Sequence, residues 1–249
     1  MIWSIAIREL RSLFLTPLAW AILAITQFII CLFFLKSVEL YLGIQPQLEA
    51  NNSDPGITSI IVESLYGSAA FILMIIIPLL TMRLISAERQ NKTLTLLFTA
   101  PLSMTEIILG KYLGVILFLT IMIAMITIMP LTVLLGGSLD FGLLLSNILG
   151  LFLILATFSA IGLYISTLTN NPILSAVISF TSLLLLNLID LLATSDNPTG
   201  LFSYISLRSH LDNLFTGFFN SSDIIYYVLL ILMFIVLSIR RLDNDRLQH

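Results

Sequence analysis

The chain has 249 residues, of which 58% are hydrophobic and only 10% are charged, and its formal net charge is -3. Soluble domains carry about a quarter charged residues, so this composition excludes an ordinary soluble protein and indicates an integral membrane protein. The basic residues form no cluster of the kind that binds nucleic acid, so no nucleic-acid partner is expected.

Six apolar segments are long enough, or nearly so, to cross a bilayer as helices, for which about 20 residues are needed. They cover residues 17–35, 66–82, 112–135, 143–168, 173–192 and 224–239. We therefore predict an all-α integral membrane fold of six transmembrane helices in a single domain, residues 1–249.

The basic residues lie mainly on one side of this six-span topology. Of the 11 lysines and arginines, nine fall on the side of both termini and two, Lys36 and Arg208, on the other. The nine are Arg8, Arg11, Arg83, Arg89, Lys92, Lys111, Arg240, Arg241 and Arg246. The positive-inside rule then places both termini and the loop between the second and third spans in the cytosol.

Residues 1–16, before the first span, have the pattern of an amphipathic helix. At helical spacing, one face is polar and the opposite face is apolar. The polar face is Ser4, Arg8, Arg11 and Ser12, and the apolar face is Trp3, Ile7, Leu10 and Phe14. We expect this helix to lie in the cytosolic headgroup layer, as a generic anchor or with a mechanical role.

Two longer outer connections are predicted. Residues 36–64 are expected to form a polar loop that contains the turn-rich stretch 51–56. Residues 193–223 alternate aromatic and polar side chains, which is typical of a segment that lies at the outer interface or dips into it.

Sequence motifs for catalysis are absent. Gly110-Lys111 is followed by Tyr112 and lacks the upstream glycine of a phosphate-binding loop, so the chain is not expected to hydrolyse ATP by that route. The two histidines, His210 and His249, are far apart in sequence, and no metal site or catalytic triad is predicted from them.

The most informative segment is the cytosolic connection of residues 83–106. It begins with the charged residues Arg83, Glu88, Arg89 and Lys92. Thr93 is then a candidate N-cap for a short helix through residue 99, which Pro101 would end.

That short helix would carry an apolar patch formed by Leu94, Leu97 and Phe98. An ordinary basic inner loop does not need such a patch. A helix of this kind, framed by charge and held close to the membrane, favours insertion into a groove of another protein.

Three ordered motifs occur in the beginning, middle and end of the chain. They are Arg8-Glu9-Leu10-Arg11-Ser12…Thr16-Pro17, then Arg83…Glu88-Arg89…Thr93-Leu94-x-Leu96-Leu97-x-Thr99-x-Pro101-Leu102-Ser103…Gly110-Lys111-Tyr112, and finally Tyr204-Ile-Ser-Leu-Arg-Ser-His210-Leu-Asp-Asn-Leu-Phe-Thr-Gly217…Asp223-Ile-Ile-Tyr226. With these motifs the chain resembles the ABC-2-type permeases, the membrane half of type-2 ABC exporters, and most closely their gliding-motility-type branch. Two positions depart from the pattern, since Lys92 stands where the family often has glycine and Thr95 where it often has an acid.

The resemblance implies a function for each motif. Residues 1–16, with Arg8, Glu9 and Arg11, would be the elbow helix, residues 83–106 the coupling region and residues 193–223 a re-entrant outer loop. The coupling residues would be Arg83, Glu88, Arg89, Thr93, Leu94, Leu97, Phe98 and Pro101.

The resemblance also implies a set of partners. The chain itself would bind no cofactor and catalyse no reaction. ATP and Mg²⁺ would be bound by a separate ATPase subunit, present in two copies, beside a second permease copy or a homologous permease. The resemblance further implies contact with membrane lipids, an extracytoplasmic auxiliary subunit, and a location in a bacterial inner membrane.

Two other classes of function stay open at this stage. The same kind of ATPase could use the chain as a membrane scaffold for mechanical or assembly signalling without bulk transport. An ion-coupled carrier or channel is disfavoured because the polar residues in the middle of the predicted spans are Gln27, Asn187 and scattered Ser and Thr, while Asp190 lies near an outer helix end.

Overall fold

The computed structural model describes residues 1–50, 57–93, 103–135, 139–193, 206–218 and 220–247. Within these ranges every regular element is a helix and no strand occurs. In chain order the helices are α1 (Ile2–Leu15), α2 (Pro17–Ala50), α3 (Ile57–Thr81), α4 (Ser86–Gln90), α5 (Met104–Leu131), α6 (Phe141–Leu168), α7 (Pro172–Ala193), α8 (Leu207–Phe215) and α9 (Ser221–Leu247), with a 3₁₀ turn at Thr132–Leu135. The predicted all-helical architecture is therefore confirmed.

Five described helical segments are long and apolar enough to cross a membrane. They are Pro17–Pro46, Ser59–Gln90, Met104–Leu134, Phe141–Leu168 and Ser221–Arg246. The remaining predicted span, 173–192, falls on α7, whose described apolar part, Pro172–Leu188, is shorter. The count of six spans stays a prediction.

The prediction of a polar loop over residues 36–64 is wrong. Helix α2 continues to Ala50 and α3 begins at Ile57, so most of this stretch is helical. A polar side chain here forms its hydrogen bonds without ending the helix. Ser37 Oγ donates to the carbonyl of Phe33 in the preceding turn and lies 3.1 Å from Ser64 Oγ on α3. The turn-rich stretch 51–56 lies outside the described residues.

Helix α6 is the centre of the bundle. It packs against α3, α5, α7, α8 and α9, and it is buried along nearly its whole length. Close helix approach depends on small residues, because at Gly162 of α6 the side chain of Thr81 on α3 fills the space where a Cβ would stand. Helices α2 and α9 are more peripheral and expose many apolar side chains, as expected of surfaces that face lipid.

The bundle has two distinct ends, named here after the short helix at each. The α4 end contains α1, α4, the start of α5 and the final turns of α6 and α9. The α8 end contains α8, the first turns of α6 and α9, and the start of α3.

Candidate functional site

The candidate site is the α4 end, where most of the described coupling residues predicted from the sequence are brought together. Helix α4 has only five residues, and its start is fixed by a side chain from another helix. The backbone N–H groups of Ile85 and Ser86 both donate to Ser166 Oγ on α6, at 3.1 Å each. Because Ile85 and Ser86 are buried, these bonds satisfy donors that water does not reach.

Lys111 joins α4 to α1. Its ammonium lies 2.8 Å from Glu88 Oε1 on α4 and 3.5 Å from Glu9 Oε2 on α1, and its side chain is only 2% exposed. A buried ammonium is tolerated only when it is paired, so the two carboxylates hold this cation and the cation holds them. Three separate elements therefore meet at one charge.

Arg89 binds the opposite side of the α4 end. Its guanidinium forms an ion pair with Asp245 near the end of α9 and donates to Asn170 Oδ1, at 3.4 Å, in the turn between α6 and α7. Neighbouring residues of α4 thus bind to different parts of the bundle. A displacement of α4 would act on α1, α5, α6 and α9 together.

The end of α4 has the geometry of a helix C-terminal cap. Lys92 adopts a left-handed backbone conformation, with φ of 56°, and the N–H of Thr93 donates to the carbonyl of Glu88 at 2.9 Å. This is the turn in which glycine is usually found. Lys92, which stands where the resemblance leads us to expect glycine, therefore adopts the backbone geometry that favours glycine.

The remaining predicted coupling residues, Leu94, Leu97, Phe98 and Pro101, lie outside the described residues. The short helix predicted from Thr93 stays a prediction. The described backbone stops at Thr93, after α4, and resumes at Ser103, the N-cap of α5, and both of these residues lie at the α4 end.

Helix α1 is confirmed as an amphipathic helix, but the face that packs on the bundle differs from the predicted apolar face. Ile5 and Ala6 are buried, while Trp3 and Ile7 are largely exposed. The reason is Gly110 and Gly114 of α5, where a Cβ would come within 2.6 Å of Ile5 Cβ and 2.8 Å of Glu9 Cβ. These glycines let α1 lie directly on α5 and bring Glu9 to Lys111.

Arg8 and Arg11 are exposed, and neither joins the Lys111 cluster. Arg83 is exposed too. Arg8 and Arg83 instead line a cavity of about 540 Å³ at the α4 end, together with Glu9, Glu88 and Lys111.

The α8 end is built differently. Helix α8 buries Leu207, Leu211, Leu214 and Phe215 against its neighbours. Its chain is also tied by hydrogen bonds to the backbone: Asn147 of α6 donates to the carbonyl of Phe215 at 3.0 Å, and Tyr227 of α9 to that of Leu207 at 2.6 Å. Of the predicted re-entrant outer loop, 193–223, residues 194–205 and 219 lie outside the described residues, and the re-entrant arrangement stays a prediction.

One buried acid lies at the α8 end. The side chain of Asp223 is 2% exposed, and its Oδ1 lies 2.6 Å from Nδ1 of His210, whose ring stacks on Tyr226. Asn213 donates to its second oxygen at 3.3 Å. These contacts join α8 to the first turn of α9.

A second cavity, of about 460 Å³, lies between α8 and helices α2, α3, α6 and α7. Its wall is mainly apolar and includes Phe33, Phe71 and Phe158, while Glu63, Arg208 and Asp212 supply charge. Glu63 was placed in a loop by the sequence, but the structure places it in the second turn of α3, inside a candidate span.

Lys111 is the member of this cluster that the sequence analysis quoted in a motif but did not place among the coupling residues. It was counted among the loop cations, with the third span starting at residue 112, yet α5 begins at Met104 and buries Lys111. The sequence does carry the signal, because Ser103 and Glu106 form a capping box in which each side chain binds the other's backbone N–H. That motif places the helix start two turns before Lys111.

The described residues contain no group of three or more His, Cys, Asp or Glu that could hold a metal ion. The site joins several helices through ion pairs, of which the buried ammonium of Lys111 is the centre.

A helical bundle with several apolar spans and a charged junction at one end is a multi-pass membrane protein. The chain matches the family described as "ABC-2 family transporter protein" over residues 3–247, nearly its whole length, and it belongs to that family. Members of this family are normally non-catalytic membrane subunits, and membership implies an ABC transporter with an ATPase partner. No curated protein sequence matches the chain significantly.

Proposed function

We propose that this chain is the permease subunit of an ATP-driven exporter of the gliding-motility-type branch. A separate ATPase, in two copies, binds ATP and Mg²⁺ and pushes on residues 94–102. Both termini and the α4 end face the cytosol of a bacterial inner membrane. A second permease copy, identical or homologous, and an extracytoplasmic auxiliary subunit complete the assembly.

The observation that carries this proposal is the Lys111 junction. Residues 94–102 follow α4 directly, and α4 is tied through Glu88 to Lys111 and Glu9 and through Arg89 to Asp245. A push on this segment would therefore reach the elbow helix α1 and the spans α5 and α9 through short, charged contacts. A stiff contact of this kind is what ATP-driven closure of two subunits needs in order to rearrange a membrane domain.

The direct test uses two variants of the proposed coupling region. Leu97→Asp would remove the apolar patch that enters the ATPase groove, and Glu88→Ala would release α4 from Lys111. We expect both to lower substrate-stimulated ATP hydrolysis and transport at least tenfold while the chain still inserts into the membrane.

Matched controls separate the junction from a general effect of charge. Thr95→Asp adds the same charge to the same segment, at a position where the family often has an acid, and Glu39→Ala removes an exposed acid from the distal part of α2. Both should keep near-normal transport. Normal ATPase stimulation in Leu97→Asp and Glu88→Ala would reject the coupling assignment.

The aromatic-lined cavity beside α8, of about 460 Å³, supports transport over a purely mechanical scaffold, because it has room for part of a substrate, which a scaffold does not need. Substrate-dependent stimulation of the partner ATPase separates these two functions. A scaffold would show the ATPase bound to the chain at the same stoichiometry, with a hydrolysis rate that no candidate substrate changes.

One observation favours the ion-coupled alternative: Glu63 is an acid within a candidate span that also lines this cavity. It lies near the start of α3 instead of at mid-depth, which is where a coupling carboxylate is usually needed. Transport that persists without nucleotide, follows an ion gradient and is lost in Glu63→Gln would establish this alternative instead.

A further inference from the structure

The cavity at the α4 end lies beside the end of α3 and the start of α2, two helices that contain candidate membrane spans. Leu79 and Leu80 come from the last turn of α3, Leu18 comes from the first turn of α2, and Arg83 follows the end of α3 directly. The cavity therefore lies where two spanning helices leave the apolar layer. Its lining combines leucine side chains with the charged side chains of Arg8, Glu9, Arg83, Glu88 and Lys111.

The charges of this cavity do not cancel. Lys111 is neutralised by Glu9 and Glu88, whereas Arg8 and Arg83 have no ion-pair partner among the described residues. Two guanidinium groups with unused donors, beside leucine side chains, match a phosphate group with acyl chains attached. Arginine is suited to this because its planar group binds two phosphate oxygens at once.

A third feature narrows the choice of lipid headgroup. Glu88 lines the same cavity, and its Oε2 is buried without a hydrogen-bond partner in the described part of the chain. A small shift of the Glu88 side chain toward the cavity would bring this oxygen within reach of a ligand that donates a hydrogen bond. An anionic phospholipid whose headgroup carries hydroxyl groups has both the phosphate and the donor.

We propose that the α4-end cavity binds one anionic phospholipid of the adjacent leaflet. Its phosphate would lie between Arg8 and Arg83, a headgroup hydroxyl would donate to Glu88, and its acyl chains would run along Leu18 and Leu79. The lipid would then bridge α1 to the α3–α4 connection beside the Lys111 junction. This inference does not depend on the identity of the ATPase partner.

The test is lipid retention by the full chain purified in mild detergent, with native mass spectrometry and titration of phosphatidylglycerol as the probe. Arg8→Gln/Arg83→Gln should bind phosphatidylglycerol about thirtyfold more weakly, from about five- to sixfold for each basic residue near an anionic headgroup. The matched control, Arg11→Gln/Arg240→Gln, removes two exposed arginines that do not line the cavity, and it should bind as tightly as the parent.

A second variant keeps every charge. Ser12 lines the cavity and is exposed, so Ser12→Trp should fill the space and exclude the lipid without changing net charge. Loss of lipid in both Arg8→Gln/Arg83→Gln and Ser12→Trp, with retention in the control, would support the proposal.

The other outcomes would overturn it. Equal loss in the cavity and control doubles would mean attraction by net charge alone. Unchanged retention in Arg8→Gln/Arg83→Gln would mean that no lipid is held there. If inorganic phosphate protects the protein from thermal unfolding as well as phosphatidylglycerol does, the site binds free phosphate. If Arg8→Gln/Arg83→Gln loses the ATPase subunit while its lipid binding is unchanged, the two arginines belong to a protein contact.

Discussion

At the α4 end a five-residue helix is held by charges and by hydrogen bonds to its backbone, whereas at the α8 end a nine-residue helix is held mainly by its apolar face. The difference follows from length. A helix as short as α4 cannot bury an apolar stripe, so its position depends on Lys111, Arg89 and Ser166. Helix α8 has two and a half turns and packs four apolar side chains against the bundle.

The comparison suggests a division of work. Directional contacts at the α4 end link one short helix to several long ones, and under the proposed function these contacts would pass a displacement of α4 on to them. At the α8 end, apolar packing, which has no preferred direction, holds α8 in place. Substitutions at the α4 end should therefore have large effects from single polar atoms, while polar substitutions at the α8 end should have smaller ones.

The largest effect is expected from Lys111→Met. It leaves the carboxylates of Glu9 and Glu88 without their cation, and breaking a buried ion pair from one side costs about 3–5 kcal/mol of unfolding free energy. Thermal unfolding in lipid nanodiscs measures the loss. The triple variant Glu9→Gln/Glu88→Gln/Lys111→Met should recover most of it, since no unpaired charge remains. A triple variant as unstable as the single one would show that the charges are not what holds the junction.

Next in size is Ser166→Ala. It removes the acceptor for the buried N–H groups of Ile85 and Ser86, and each unsatisfied donor costs about 1–3 kcal/mol, so we expect a loss of at least about 2 kcal/mol. Ser159→Ala is the matched control on the same helix, because its buried hydroxyl donates only to the carbonyl of Leu155 on its own helix. Similar unfolding temperatures for the two variants would contradict the account of α4.

At the α8 end, Asp223→Asn should cost less, about 1.5 kcal/mol. It weakens the charge-assisted contact with His210 but keeps the shape and one acceptor oxygen. Asp212→Asn serves as the control, because Asp212 is 59% exposed and lies 3.8 Å from Arg208, a surface pair worth about 0.5 kcal/mol or less. A loss for Asp223→Asn that exceeds that of Lys111→Met would reverse the proposed contrast between the two ends.

The sequence predicted the elements that depend on long apolar runs, and it failed where a helix passes beyond such a run. Five of the six predicted spans coincide with long apolar helices, because hydrocarbon demands such runs. The extension of α2 to Ala50 was missed, since Lys36 and Glu39 resemble the end of a span although a helix can continue into water.

The candidate site was predictable only in part. Glu88, Arg89 and Glu9 were selected by motif, and the structure gives each of them an ionic contact. Their partners Lys111 and Asp245 are distant in sequence and belong to other helices, so no local pattern pairs them. For Arg8, Arg11 and Arg83 the resemblance indicates a role, while the structure places Arg8 and Arg83 at a cavity and Arg11 on the surface.

The smallest expected effect, and the only gain in stability, concerns Lys92 at the end of α4. Its φ of 56° is costly for a residue with a Cβ and nearly free for glycine, so Lys92→Gly should stabilise the protein by about 0.5–1 kcal/mol. Lys92→Ala removes the same side chain but keeps the Cβ, and it should bring no such gain. The difference between their unfolding temperatures isolates the backbone contribution. A glycine variant that is more stable but stimulates a partner ATPase less would indicate that the strained turn contributes to coupling. Equal stability of the glycine and alanine variants would show that the left-handed turn does not limit how firmly α4 is held.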